Sequence, residues 1–211
     1  MSLTMTKPII YTIGHSTHPI DYFLEILKYY HVNCVVDVRS MPASRFNPQF
    51  NKKSLASSLK DNGIDYLYFG ESFGARQTDL LLLDNEGRVD FEKVRNTEKF
   101  SDGIGRIWKG AHDGYLIALM CSEAEPLSCH RFVMISPALK DFKVHHILKD
   151  QSILNQEDLE EQLLKKFSKE LSQTKVFESN DDKSQKLAAA YKMMNRIAGF
   201  IPHEHKKSHT A

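Results

Sequence analysis

The stretch 116–131 constrains this 211-residue chain most. An apolar run, Leu116-Ile117-Ala118-Leu119-Met120, stops at Cys121 and is followed within ten positions by Ser122, Glu123, Glu125, Cys129, His130 and Arg131. A run this short, between Gly114 and Pro126, does not cross a bilayer and reads as an interior strand of a parallel sheet. Ser128 is placed to cap a helix opening at Cys129, with Phe132, Ile135, Leu139 and Phe142 as its apolar face. Open α/β sheets bind ligands where the carboxyl end of a strand meets the start of a helix, so this segment marks a candidate site.

The rest of the chain alternates between two periods. β-type runs at 9–13, 32–38, 66–69, 115–120 and 142–148 are separated by apolar residues at helical spacing. These are Ile20, Phe23, Leu24, Leu27 and Tyr30, then Leu55 and Leu59 up to Gly63, then Phe100, Ile104, Ile107 and Trp108 up to Gly110. Each crossover has to return the chain to the same edge direction. The pattern therefore predicts a Rossmann-like α/β fold of three layers, with a doubly wound, mostly parallel sheet of about five strands. Residues 71–90 fit no single element and read as a functional or mobile loop. Helices over 156–171 and 184–200, with a polar linker at 172–183, add a C-terminal extension. On this reading 1–150 is the α/β domain carrying the site. Residues 151–211 are an extension that packs on the sheet or on a second copy of the chain, as a homodimer, and the polar ending 203–209 is expected to be mobile.

A net charge of +1 argues against a generally basic nucleic-acid binder while leaving room for a local positive patch. No apolar stretch is long enough to span a membrane, and no basic-then-apolar leader opens the chain, so a soluble cytoplasmic protein is expected. Cys34, Cys121 and Cys129 are an odd set in a chain of this size, which points to reduced thiols rather than a disulfide framework.

If the strands run parallel, the residues just after them share one rim: His15 and Ser16, Asp37 and Arg39, Glu71, Cys121 and Glu123, with one of His145 or His146 near the fifth strand. Chemistry follows from the residue types. His15 is a candidate acid or base supported by Asp37, and Glu123 a second proton carrier. Cys121 or Cys129 is a candidate nucleophile or ligand. A thiol at a helix start beside Arg131 forms thiolate more readily, while Cys34 reads as core. Arg39, Arg45 and Arg131 are candidate anion holders. Ser16, Ser44, Gly74, Arg76 and His130 complete the substrate-binding set, with Lys52, Lys53 and the aromatics Phe46, Phe50, Tyr68 and Phe73 among them. Each has a plain structural reading as well: His15 bonded to a loop carbonyl, Asp37 capping a turn and pairing with Arg39, a solvated basic surface with its aromatics turned inward. A metal is the rival for Cys121, Glu123, Cys129, His130 and one of His145 or His146. The eight-residue step between the cysteines lacks the tight hairpin of structural zinc sites, so no residue is assigned as a metal ligand, and the sequence names no cofactor. No glycine-rich phosphate loop of the usual kinds occurs.

Thr12-Ile13-Gly14-His15-Ser16, then the run Asp37-Val38-Arg39-Ser40-Met41-Pro42-Ala43-Ser44-Arg45, then Cys121 through Cys129-His130-Arg131, occur in that order. With them the chain resembles the domain-of-unknown-function family 488 over about 9–150, including Gly74 and the strand at His146-Ile147. The resemblance implies a compact cytoplasmic α/β domain and brings no established reaction. A further likeness, to rhodaneses and cysteine-dependent phosphatases, lies in the order of a strand ending at Asp37-Val38-Arg39 and a later one ending at Cys121. Here the loop departs from them. Ten steps separate Cys121 from Arg131, and Glu123, Glu125 and Pro126 lie between, where carboxylates repel a bound anion. The reading that follows is an enzyme acting on an anionic substrate, a nucleotide or nucleic-acid component. The alternatives are a non-catalytic binding module for nucleic acid or protein, a rhodanese-like thiol or sulfur-transfer protein, and a metal-binding protein.

Overall fold

The apolar run becomes the middle of a sheet. In a computed structural model that describes residues 6–173 and 182–202, the chain begins with β1 (Ile9–Gly14), α1 (Ile20–Tyr29), β2 (Cys34–Asp37), α2 (Lys52–Asp61) and β3 (Asp65–Tyr68). It continues through α3 (Gly70–Phe73), α4 (Phe91–Arg95), α5 (Glu98–His112) and β4 (Ile117–Cys121). After β5 (Lys143–Ile147) and β6 (Ile153–Asn155) come α6 (Gln156–Lys166), α7 (Ser168–Gln173) and α8 (Asp182–Ala198). The strand order is β3-β2-β4-β1-β5-β6, parallel except for β6. Every residue of β4 is buried, as a central parallel strand covered on both faces requires.

The fold is the expected three-layer α/β arrangement, doubly wound about a mostly parallel sheet. The steps from β1 to β2 and β2 to β3 run one way along the sheet, and Phe23, Leu27, Leu55 and Leu59 of α1 and α2 fill the core on that face. The steps from β3 to β4 and β4 to β5 run back. Their cover is on the opposite face, with Phe91, Phe100, Ile107 and Phe132 in its core. Reversal of face with direction is what right-handed crossovers demand. It places β4 between two strands whose outgoing loops leave for the other face, and this is the crevice where open sheets take ligands.

The structure departs from the expectations in four places. A sixth strand, β6, adds an antiparallel edge after the turn at 148–152. The stretch 71–90 contains part of α3, a short 3-10 turn at Leu80–Leu82 and a bridge between Leu83 and Val89. The helix expected over 156–171 breaks at Phe167 into α6 and α7. The helix expected after Ser128 is instead a π turn, Arg131–Ile135, running into a 3-10 turn, Ser136–Ala138, that begins with Pro137 in its first turn. No side-chain cap closes its amino end, so the helix-start argument for a Cys129 thiolate loses its basis. Leu159, Leu163, Ala190, Tyr191 and Met194 of α6 and α8 are buried in the same core as β4. Among the described residues no helix is long and apolar enough to cross a membrane. The polar ending 203–209 and most of the linker 172–183 lie outside the described residues.

Neither histidine of β5 joins the strand ends. His145 sits edge-on to Tyr11. His146, fully buried, accepts at Nδ1 from the Thr12 hydroxyl at 2.8 Å and donates from Nε2 to Gln156 Oε1 at 2.9 Å. Gln156 in turn donates to Tyr191 and Glu160 at 2.7 and 2.9 Å, which ties β5 to the C-terminal helices. Burial pushes the His146 imidazole down to about 4. The native ring is thus neutral while an unfolded one takes a proton near 6.5, so its stabilisation is complete above pH 6.5 and is lost as pH falls towards 4. The slope across that window is about 1.4 kcal/mol per pH unit. Urea unfolding of the wild type should show stability falling steeply between pH 6.5 and 4, and His146→Gln should reduce that slope by up to about 1.4 kcal/mol per pH unit, leaving the share of any other buried histidine. An unchanged slope would contradict the buried neutral ring.

Candidate functional site

Register builds the site. Gly14 pairs with Cys121 across β1 and β4, and Asp37 with Met120 across β2 and β4. The ladder continues past the strands: His15 N donates to the Cys121 carbonyl at 2.9 Å, Ser16 N to Ser122 at 3.0 Å, and Val38 N to Met120 at 3.0 Å. Three chain segments are thereby held side by side at the sheet's carboxyl rim.

The first group of side chains centres on Asp37, which has no exposed surface. It accepts from Arg39 Nε at 2.8 Å, Arg39 Nη2 at 2.6 Å, the Arg39 backbone N at 3.1 Å and the Tyr66 hydroxyl at 2.7 Å. Arg39 Nη2 also reaches the Phe50 carbonyl at 2.8 Å, and Nη1 donates to His15 Nε2 at 3.1 Å. His15 Nδ1 donates to the Ser16 carbonyl at 2.8 Å, and its ring stacks on Phe50 with centroids 4.2 Å apart. Burial, with the Arg39 charge beside it, lowers His15 to about 4, so the ring is neutral at physiological pH. No hydrogen bond joins Asp37 to His15: the guanidinium of Arg39 bonds both, so any support Asp37 gives the ring passes through Arg39. Burial and the Asp37 carboxylate push the Tyr66 phenol up, so it remains a donor. Tyr66 escapes sequence reasoning because strand alternation alone marks it.

The second group surrounds the cysteines. Cys121 and Cys129 are buried with their sulfurs 2.8 Å apart. Arg131, fully buried, donates from Nη1 to Cys121 Sγ at 2.8 Å and to the Glu123 carbonyl at 2.5 Å, and from Nη2 to the Ala124 carbonyl at 2.8 Å, while its Nε is buried without a partner. The Glu123 residue is exposed, yet its Oε2 turns in to 3.3 Å from Cys129 Sγ. Burial raises this carboxyl, but thiol hydrogen bonds and His130 outweigh it and hold it at about 2. Burial pushes the Cys121 thiol up, against the pull of Arg131, so Cys121 is neither exposed nor ionised as a free nucleophile has to be. His130 lies with Nε2 3.2 Å from the Val38 carbonyl and Nδ1 3.7 Å from Cys129 Sγ. One ligand atom from each of Cys121, Glu123, Cys129 and His130 lies within 4.8 Å of the others. Gly14 lets the two groups meet, because a Cβ there would strike the Glu123 carbonyl and crowd Arg131 Nη1. Cys34 is core.

The remaining residues shape the rim. Ser44 Oγ accepts from the backbone N of Phe46 and Asn47 at 3.1 and 3.2 Å, which makes it a loop builder. Ser16 has φ 49°, a strained value for a side-chain-bearing residue. A Cβ at Gly74 would collide with Gly70 and Ser40, so glycine there serves packing. Arg76, exposed, fixes its loop by donating its backbone N to Ser40 Oγ at 2.9 Å. Arg45 is exposed and Phe46 is 91% exposed, in the loop between β2 and α2. Lys52 lies over the Tyr68 ring and Arg106 over Phe69. Among the described residues the ion pairs are Arg39 with Asp37 and Arg88 with Glu86, so these rim cations are not neutralised by a neighbouring carboxylate.

A family model described as "Domain of unknown function DUF488" matches residues 19–136. The match takes in Asp37, Arg39 and the cysteine segment and begins just after His15 and Ser16, a narrower span than the 9–150 suggested by the motifs. No curated protein and no solved structure matches the chain.

Because Asp37 neutralises a buried guanidinium, Asp37→Asn should cost about 3–5 kcal/mol of unfolding free energy. Urea denaturation at neutral pH measures it. A loss below about 1 kcal/mol, the usual size for an exposed pair, would contradict the buried arrangement.

Proposed function

The chain belongs to the DUF488 family, whose description carries no reaction, and from the site itself we propose that it is an enzyme acting on an anionic substrate, a nucleotide or nucleic-acid component. One observation carries the reading: exposed cations with no ion-pair partner among the described residues, Arg45 and Arg76 on loops, Lys52 and Lys53 at the start of α2 and Arg106 on α5, with the exposed aromatic Phe46 and exposed Met41, stand around a buried cluster of thiols, histidines and arginines. Exposed cations take phosphate oxygens, and an exposed ring takes a base face.

The division of labour differs from the simplest reading of the motifs. Arg39 and Arg131 spend their hydrogen bonds inside the protein, on Asp37, His15, Cys121 and two carbonyls. They stiffen the site, and the anion falls to Arg45 and Arg76 at the surface. Glu123, exposed with its carboxylate against the thiols, is the side chain that can meet both substrate and cluster. At neutral pH His15 is an unprotonated ring, suited to accept a proton once substrate displaces Arg39 from Nε2. The second reading, a binding module without turnover, is favoured by the same internal saturation of His15, Arg39 and Asp37.

Fluorescence anisotropy with short labelled single-stranded oligonucleotides tests the rim, and product analysis on the same mixtures tests turnover. Arg45→Ala, Phe46→Ala and Arg76→Ala should each weaken binding about tenfold, and each lost arginine should reduce the salt slope of log affinity by about 0.7. Binding without product would support the module. Absence of binding at low salt together with absence of turnover on nucleotides would defeat both readings.

A further inference from the structure

We propose that Cys121, Cys129 and His130 hold a divalent zinc-class cation at the carboxyl end of β4, with Glu123 as an exchangeable fourth ligand on the solvent side.

The donor set comes first. Two sulfurs, an imidazole nitrogen and a carboxylate oxygen lie within 4.8 Å of one another, which is the chemistry and the span of a tetrahedral zinc shell. The sulfurs are 2.8 Å apart. Zinc–sulfur bonds of about 2.3 Å at a tetrahedral angle require roughly 3.8 Å, so binding spreads the pair by about 1 Å, within reach of side-chain rotation.

Orientation is an independent observation. A carbonyl only accepts, so His130 Nε2, 3.2 Å from the Val38 oxygen, carries the ring hydrogen and Nδ1 presents its lone pair towards Cys129 Sγ. Metal-bound histidines are oriented in this way, with the second nitrogen donated to a backbone carbonyl. Residue 130 is tied by that bond to the end of β2, and Cys121 to the end of β4. The two sides of the donor set are therefore fixed by the sheet rather than by a hairpin, which is why the spacing of eight between the cysteines does not announce them.

Charge supplies the third argument. Arg131 is buried with no carboxylate paired to it among the described residues, and its Nη1 points at Cys121 Sγ. Two thiolates and the Glu123 carboxylate carry three negative charges, which a divalent cation and one guanidinium balance to neutrality. An N–H donated to a metal-bound thiolate is also a partner that sulfur accepts well. Three buried ligands and one exposed carboxylate match the pattern of a catalytic rather than a closed structural metal site, since the exposed position is open to water or to a substrate anion. The inference names the cofactor class of the proposed reaction centre, but it rests on the donor set, its orientation and its charge, and not on the substrate reading.

The wild-type chain, purified under reductant, given zinc and desalted, should retain about one zinc per chain by elemental analysis. Cobalt in place of zinc should give thiolate-to-cobalt charge transfer in the near ultraviolet, and zinc should protect two of the three cysteines from a thiol reagent. Cys129→Ser should lose zinc affinity about a hundredfold or more. Glu123→Gln, at an exposed position, should keep the charge-transfer band while its visible cobalt bands shift, which keeps the test informative if Cys129→Ser does not fold. No charge-transfer band in the wild type overturns the proposal. So does zinc held equally well by Cys129→Ser, which would place the ion elsewhere in the chain. A Cys121–Cys129 disulfide that persists under reductant overturns it too. Metal bound without any oligonucleotide or nucleotide binding would sink the proposed function and leave this site standing. Rim binding without metal would do the reverse.

Discussion

The parallel pairing of β4 with β1 on one side and β2 on the other is the constraint on which the rest of the molecule depends. Because Gly14 lies opposite Cys121 and Asp37 opposite Met120, the residues that follow each strand emerge at one level. A slip of one residue in a strand turns every side chain to the other face. Here it would separate His15 from Arg39 and Arg131 from Cys121 in a single step. The wholly apolar β4, buried in the sheet's interior, resists that slip through the packing of both cores.

Burial of charge at the rim has a chemical consequence. Asp37, Arg39 and Arg131 are at most 5% exposed, and each is saturated or nearly so by internal donors and acceptors. Such groups are costly to unpair, so they set geometry and local potential instead of gripping a ligand. The residues the fold leaves in water here are Arg45, Phe46, Arg76 and Glu123, and on the proposed function these are the ones to meet a ligand. A stiff interior supporting an exposed cationic edge is the arrangement from which the proposed anion recognition is argued.

Much of the fold is legible in the amino-acid order because it rests on local periodicity. The strands at 9–13 and 142–148 and the helices around Phe23 and Ile107 appear within a residue or two of expectation, since alternation and the 3.6 period are decided by neighbours. Convergence of His15, Arg39, Cys121 and Arg131 is also legible, as it needs only the parallel direction. What the sequence hides depends on contacts distant in the chain. Arg39 intervenes between Asp37 and His15 because its side chain folds back over two residues, and Tyr66 arrives from β3 by register. Ser128 reads as a helix cap by residue type, yet Pro137 nearby and the demand for buried Arg131 yield a π turn instead. His130 joins the cysteines through a bond to Val38, 92 positions away, which no local motif records.

The central proposal is that the end of β4 becomes one charge-balanced unit when it binds a divalent cation, with the Cys121 and Cys129 thiolates and Glu123 as its negative half. X-ray absorption at the zinc edge of the zinc-loaded wild type tests it most directly. Two sulfur neighbours at about 2.3 Å and two nitrogen or oxygen neighbours at about 2.0–2.1 Å are the predicted shell. A shell of nitrogen and oxygen alone would show that the sulfurs do not bind the cation, and would contradict the account.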